Sequence, residues 1–273
     1  MKNKATILFA ALSLVLTVIL LLQNLGVLGL LSKGGTGGSS TQRLEGNGYD
    51  SAEEALEAYI EAIRNGDVPA MLSTFAIETY IDSYDTKASL LRTGAWLPPI
   101  NSEGTYEIIG SDYERQLRLF ARQASIVRKV YEQLITYSAF FVEDSNSYNG
   151  LEPITFHTEE DVERFLNAYR KSSFGKALTE IKLEEFIKPE QLSEPYGSEA
   201  HLKNMKQLGN ICGCDEYKSV AARITLNGES WLLTMDCGSY HGRWYNISLP
   251  GTLATLLGAN VQQYGLIPYF QIQ

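Results

Sequence analysis

Between residues 217 and 249 apolar and polar side chains alternate, YKSVAARITLNGESWLLTMDCGSYHGRWYNISL, and a period of two marks half-buried strands. Asn227-Gly228 predicts a two-residue type I′ turn, because both central positions need positive φ, which Asn and Gly tolerate. With Leu226 opposite Glu229, Ile224 meets Trp231, Ala222 meets Leu233 and Val220 meets Met235, all apolar. The other face pairs Thr225 with Ser230, Arg223 with Leu232, Ala221 with Thr234 and Ser219 with Asp236, and reads as mostly wet. A second loop over 238–242 puts Tyr245, Ile247 and Leu249 on the core face, opposite Met235, Leu233 and Trp231. Trp244 and Asp236 then lie outside.

Helical spacing governs most of the remainder. Asp50 or Ser51 caps a helix, Glu54 completes a Ser-x-x-Glu box, and Ala55, Leu56, Tyr59, Ile60 and Ile63 form the apolar stripe until Gly66 ends it. Asp67 caps a second helix, with Pro69 in its first turn and Met71, Leu72 and Phe75 facing inward. Trp96-Leu97-Pro98-Pro99 makes 92–104 a non-helical connection. Ser111 or Asp112 then starts the longest helix, along which Tyr113, Leu117, Phe120, Ala124, Val127, Tyr131, Leu134 and Ser138 recur every three or four residues. Its other side carries Arg115, Arg118, Arg122 and Lys129 and reads as a solvated face paired with nearby acids.

Residues 143–150 form a polar loop, and Thr158 caps a helix through Tyr169, whose acidic first turn suits the macrodipole. The stretch 178–187 is ambiguous in period; we read it as a strand, because the hairpin needs another neighbour to form a stable sheet. Residues 198–208 read as a short helix, and Pro250-Gly251 ends the last strand before a final helical turn or two at 252–257. The fold class that follows is α+β. An N-terminal helix pair and a long middle helix pack on one face of a four- or five-stranded antiparallel sheet.

Residues 61–76, EAIRNGDVPAMLSTFA, and the closing Gly242, Arg243, Trp244, Tyr245 and Ile247, with Asn246 intervening, resemble the nuclear-transport-factor-2-like superfold. That superfold includes ketosteroid isomerases and polyketide cyclases. The resemblance covers about 35 residues at each end of the domain, and the middle is longer than the superfold normally allows. It implies a cone-shaped sheet with an interior pocket, where the enzymes of the superfold use an Asp or an Asp-His pair.

Ahead of the domain, residues 5–31 are almost wholly apolar, and these 27 residues exceed the ~20 needed to span a bilayer. Lys2 and Lys4 favour a cytoplasmic N-terminus. The leader is therefore read as a single-pass membrane anchor at 1–31 in contact with the lipid bilayer. A cleaved signal peptide, with Val27 and Gly29 as its small residues, is the competing reading. No cysteine is near enough for a lipid anchor. The Gly/Ser-rich stretch within 32–48 is a flexible tether, and 49–273 is the extracytoplasmic domain of an exported, bacterial-type protein.

Composition narrows the partners. Net charge is −9, and the first 41 residues hold three lysines and no acid, so the rest stands at −12. Such a domain does not suit nucleic acid, which attracts basic patches. Cofactor motifs, nucleophile elbows and the His-Glu-x-x-His and phosphate-loop patterns are missing, and no cofactor is expected. Of the three cysteines, Cys237 could pair with Cys212 or Cys214 in an oxidising compartment, or all three could remain reduced. Cys212, Cys214, Cys237 and His241 also make a weaker zinc set, since Cys-x-Cys is tighter than the usual knuckle. Cys237 with His241 is a weak nucleophile pair. A candidate partner-binding face gathers Trp244, Asp236, Arg223 and Asn246. The resulting functional expectation is a noncatalytic binding or interaction domain for an unknown protein or small molecule; an acid-base enzyme of isomerase or dehydratase type is the alternative.

Overall fold

The structure, a computed structural model, describes residues 43–94, 106–139, 155–171, 178–226, 228–259 and 266–269. The anchor at 1–31, the tether up to residue 42, the Pro98-Pro99 connection, the polar loop at 143–150 and Asn227 lie outside these residues. No helix among the described residues is long and apolar enough to cross a membrane.

Helices α1 (Ala52–Arg64) and α2 (Val68–Ser73) start where local chemistry places them. Ser51 Oγ accepts the Glu54 N–H at 3.1 Å, the Glu54 carboxylate returns to the Asp50 N–H at 3.1 Å, and Asp67 accepts the Ala70 N–H at 2.9 Å. Two short helices follow, α3 (Glu78–Ser83) and α4 (Thr86–Thr93), so Arg92 belongs to a helix and not to the connection beyond it. The folded unit also begins earlier than composition indicates. Leu44–Gly48 pack with it, and the buried Glu45 carboxylate accepts the N–H groups of Ile77 at 2.6 Å and Thr79 at 2.9 Å.

The long helix α5 (Asp112–Ala139) and α6 (Glu159–Lys171) match their predicted bounds closely. Strand β1 (Lys182–Ile187) bears out the strand reading for the second part of 178–187, while Leu178 and Thr179 are helical. Then come α7 (Pro189–Leu192), a 3₁₀ turn (Glu194–Gly197) and α8 (Glu199–Cys212), capped by Ser198 and four residues longer than its predicted end at 208. Gly213 closes α8 with φ +66°, and a Cβ there would lie 1.9 Å from the Ser83 carbonyl oxygen. Only glycine lets α8 end against α3 in this way.

Strands β2 (Glu216–Leu226), β3 (Glu229–Tyr240) and β4 (Arg243–Ser248) follow, then α9 (Thr252–Leu256) and a short β5 (Leu266–Pro268). The sheet is antiparallel in the order β1-β2-β3-β4, with β5 also on β3. Between β2 and β3 the predicted pairs all occur, from Leu226 with Glu229 to Ser219 with Asp236, and Gly228 has φ +80°.

The next register differs from expectation. β3 continues to Tyr240, and the chain reverses over His241 (φ 52°) and Gly242 (φ 76°). A two-residue turn replaces the predicted five-residue loop, so Tyr245 stands opposite Gly238 and Asn246 opposite Cys237. An irregularity then brings Ser248 opposite Asp236, and the edge beside Trp231–Leu233 is taken by β5. Shifting pairing by an odd number exchanges the faces of a strand. Tyr245, Ile247 and Leu249 are nonetheless buried in the main core together with Met235, Leu233 and Trp231, as expected.

The main core lies between the sheet and α1, α2, α3 and α5, and includes Leu56, Tyr59, Phe75, Ile126, Ile224, Leu233 and Ile247. A second cluster, Tyr196, Ala221, Leu232, Leu253, Ala254 and Ile267, covers the face that alternation alone marks as wet. Residues 189–212, 252–259 and 266–269 supply that cover.

Candidate functional site

Asp236 is the most heavily engaged polar side chain of the sheet. It is 2% exposed, on the face covered by α9. Its carboxylate accepts the Tyr217 hydroxyl at 2.9 Å, the Ser219 hydroxyl at 2.5 Å and the Thr252 N–H at 3.0 Å, the last being the first N–H of α9. Burial raises its pKa, and these hydrogen bonds pull the other way. Tyr196 joins the group, donating to the Ser219 carbonyl at 3.5 Å and accepting the Ser219 N–H at 3.0 Å. His201 lies against the Tyr196 ring, 4.6 Å between ring centres, and burial lowers its pKa. An acid, two tyrosines and a histidine could in principle exchange protons. Here, though, the Asp236 carboxylate is taken up by donors of the chain, and Asp236 lines neither the narrow crevice at Phe75, Ile126, Lys129, Ile247 and Leu249 nor the open depression formed by 83–86 and 107–110. The arrangement fastens the start of α9 to the sheet.

The other members of the predicted outer face do not join Asp236. Asn246 is fully buried and points the opposite way, its amide donating to the Ala55 carbonyl of α1 at 2.9 Å and to Thr74 Oγ1 at 3.0 Å. Trp244 is half-buried against the main core, with Lys218 Nζ 5.0 Å above its ring, and Lys218 pairs with Glu53 of α1 at 2.9 Å. Arg223 pairs with Glu185 of β1 at 2.9 Å, on the Asp236 side of the sheet. Trp244, Asp236, Arg223 and Asn246 are therefore split between two faces, because the His241-Gly242 turn reverses the facing of β4.

Cys212, Cys214 and Cys237 are free thiols, and no disulfide joins Cys237 to Cys212 or Cys214. Cys237 Sγ lies 3.3 Å from Asn246 Oδ1 on the α1 side, whereas Cys214 Sγ lies 3.5 Å from the Gly209 carbonyl. Burial pushes both Cys212 and Cys214 up to about 12, the opposite of what a nucleophile or metal ligand needs. Among the described residues no group of three or more His, Cys, Asp or Glu is gathered as a metal site, so Cys212, Cys214, Cys237 and His241 do not converge. His241 sits in the turn, its N–H donating to Asp215 at 2.8 Å.

The unexpected surface is on α5. Its inward face is Arg118, Leu119, Arg122, Ile126, Val130 and Gln133, all buried. Arg122, at 1% exposure, donates to the Ala76 carbonyl at 3.2 Å and the Ile247 carbonyl at 2.7 Å and stacks on Tyr80, 4.0 Å from the ring centre. Gln133 accepts the Tyr59 hydroxyl. Arg115 and Arg118 do pair with acids, Asp82 at 2.5 Å and Glu107 at 3.5 Å, but Arg118 and Arg122 are not solvated. From Tyr113 to Tyr131 the stripe taken for the core face lies in solvent, while Leu134 packs against the main core: Tyr113 is 72% exposed, Leu117 51%, Phe120 46%, Val127 46% and Tyr131 63%. At 100° per residue its centre is roughly 150° around the axis from the inward face. The clue available in the sequence was a second apolar series, Leu119, Ile126 and Val130, on the arginine side. A helix with two apolar faces has two surfaces to cover.

No family model matches this chain, and no curated protein matches it in sequence. Among solved structures it is similar to a cystatin-like protein from Ruminococcus gnavus ATCC 29149, with TM-score 0.39 and 12% identity over 71% of this chain and 39% of that chain. The chain thus spans well under half of that protein. A likeness at this level carries no argument about function.

Proposed function

We propose that the folded unit from Leu44 onward is a noncatalytic interaction domain, and that residues 5–31 hold it at the outer face of a membrane through the glycine-serine tether. The observation that supports this reading is the apolar stripe on the solvent side of α5. Five large apolar side chains in one line along a single helix are more than scattered surface hydrophobics, and they fit a groove or a second helix. The anchor rests on the length and apolarity of 5–31. The resemblance to the nuclear-transport-factor-2-like superfold is compatible, since that superfold serves both binding modules and isomerases.

An acid-base enzyme is the second reading, and the buried Asp236 with its raised pKa favours it. The four chain donors that take up its carboxylate weigh against it.

The test is a photo-reactive side chain at position 120 of the full chain in intact cells, with position 91 as control. Leu91 is also strongly exposed but lies outside the stripe. One discrete adduct at 120 and none at 91 is expected. Equal labelling at both positions, or none at 120, would remove the interaction surface from the reading.

A further inference from the structure

The exposed stripe carries information about what covers it. Its members, Tyr113, Leu117, Phe120, Ala124, Val127 and Tyr131, are spaced four, three, four, three and four residues apart. That is the seven-residue repeat of a helix-helix seam, in which each side chain inserts between those of a facing helix. We infer that the occupant is a second copy of this chain, joined through an antiparallel α5–α5 pair whose twofold axis passes at the level of Arg122. The inference rests on the interaction reading above and names its partner.

Self-complementarity is the first argument. About residue 122 the stripe is symmetric: Tyr113 and Tyr131 lie at equal distances on either side, as do Leu117 and Val127, and Phe120 and Ala124. An antiparallel pair therefore sets Tyr113 against Tyr131 of the second copy, Leu117 against Val127, and the large Phe120 against the small Ala124. A parallel pair instead stacks Phe120 on Phe120 beside an Ala124-Ala124 gap, and close packing disfavours a clash next to a void.

Charge gives the second. In antiparallel pairs the positions just after one seam series flank their counterparts on the other helix. Those positions here include Glu114 and Arg128, and the symmetric alignment brings Glu114 beside Arg128 of the second copy, twice. Arg128 is available, its side chain 71% exposed and held by Glu132 at 3.5 Å. Glu114 is fixed in place by the N–H groups of Ile108, Ile109 and Gly110, at 2.7 to 2.9 Å. A parallel alignment gives no such opposite-charge pair, since it sets Gln123 beside Arg128 and Gln116 beside Ala121.

Area completes the case. At these exposures the stripe offers roughly 600 Å² per copy, near the ~800 Å² per side of a standard interface, which the flanking residues bring within reach. The residues that fasten α5 to the domain body, Arg118 to Gln133 on its inward face, lie on the opposite side of the helix.

Disulfide trapping in the full chain, in membranes or mild detergent, tests this. Gln123 faces itself across the axis on one flank, so Gln123→Cys forms a covalent dimer on mild oxidation. Tyr113→Cys mixed with Tyr131→Cys also forms one. Tyr113→Cys alone does not, because its twin lies about 27 Å away at 1.5 Å per residue. Phe120→Glu, at an exposed position that the fold tolerates, lowers the Gln123→Cys dimer at least tenfold, and circular dichroism confirms that each variant is folded. The inference is overturned if Gln123→Cys yields no more dimer than the unmodified chain, or if Tyr113→Cys alone traps as well as the mixture. A position-120 photo-adduct with lipid or another polypeptide, without Gln123→Cys trapping, removes the second copy and leaves the interaction reading standing. No adduct at all removes both.

Discussion

Arg122 and Arg115 stand seven residues apart on α5 and make a controlled comparison. Truncating Arg122 to Ala strips the donor from two main-chain carbonyls, Ala76 and Ile247, at about 1–3 kcal/mol each. It also removes the stacking on Tyr80, about 1–2 kcal/mol at a desolvated site. The space left, on the order of 100 Å³, adds about 2 kcal/mol. Against these losses, removing a buried charge recovers several kcal/mol of desolvation cost. The expected net loss is about 3–4 kcal/mol, a large part of a typical stability of about 5–15 kcal/mol. Arg122→Lys keeps the charge but loses the planar fork and the stack, and should cost about 2 kcal/mol. Arg115 pairs with Asp82 at 2.5 Å but is 42% exposed, so Arg115→Ala should cost less than about 1 kcal/mol. Equilibrium urea unfolding, followed by the fluorescence of Trp231 and Trp244, reads the difference as a midpoint fall of more than about 1 M for Arg122→Ala. Matching midpoints for the two alanine variants would refute the assignment of the inward face.

Three further outcomes follow from the buried groups. Asp236→Ala orphans the Tyr217 and Ser219 hydroxyls and the Thr252 N–H; a loss of about 3 kcal/mol and faster hydrogen exchange in α9 are expected, and unchanged exchange there would show that Asp236 does not hold the helix. His201 has a lowered pKa through burial, partly offset by Asp236, so the unfolded chain takes up the proton first and native stability falls as pH drops through the ordinary imidazole value. Melting between pH 7.5 and 5.5 should therefore show a steeper acid loss in the parent than in His201→Gln, and parallel curves would contradict this. The Cys212 and Cys214 thiols, at about 12, leave about one thiolate in ten thousand at pH 8, so alkylation followed by mass spectrometry should label them only in denaturant.

The parts of this fold that were legible in the sequence are those whose determinants lie within a few residues. The helix starts at Ser51 and Asp67 follow from side chains reaching the next turn. The register of β2 on β3 follows from one two-residue turn and an alternation that permits no slip. The β3–β4 connection was less certain because Gly238, Gly242 and His241 allow several loop lengths. The shorter loop brought Trp244 and Asn246 to the α1 side, and split the proposed outer patch.

What the sequence alone determined, then, is the α+β class, the helix pair, the central hairpin and the existence of a long helix with a seven-residue apolar repeat. Only the tertiary structure decided which side of that helix is inside. Periodicity locates the faces of a helix but not its neighbours, and the neighbours of α5 present two main-chain carbonyls, a tyrosine ring and a tyrosine hydroxyl. Arg122 and Gln133 satisfy those groups where leucines could not, so the arginine side is buried and the more apolar side is left for another surface.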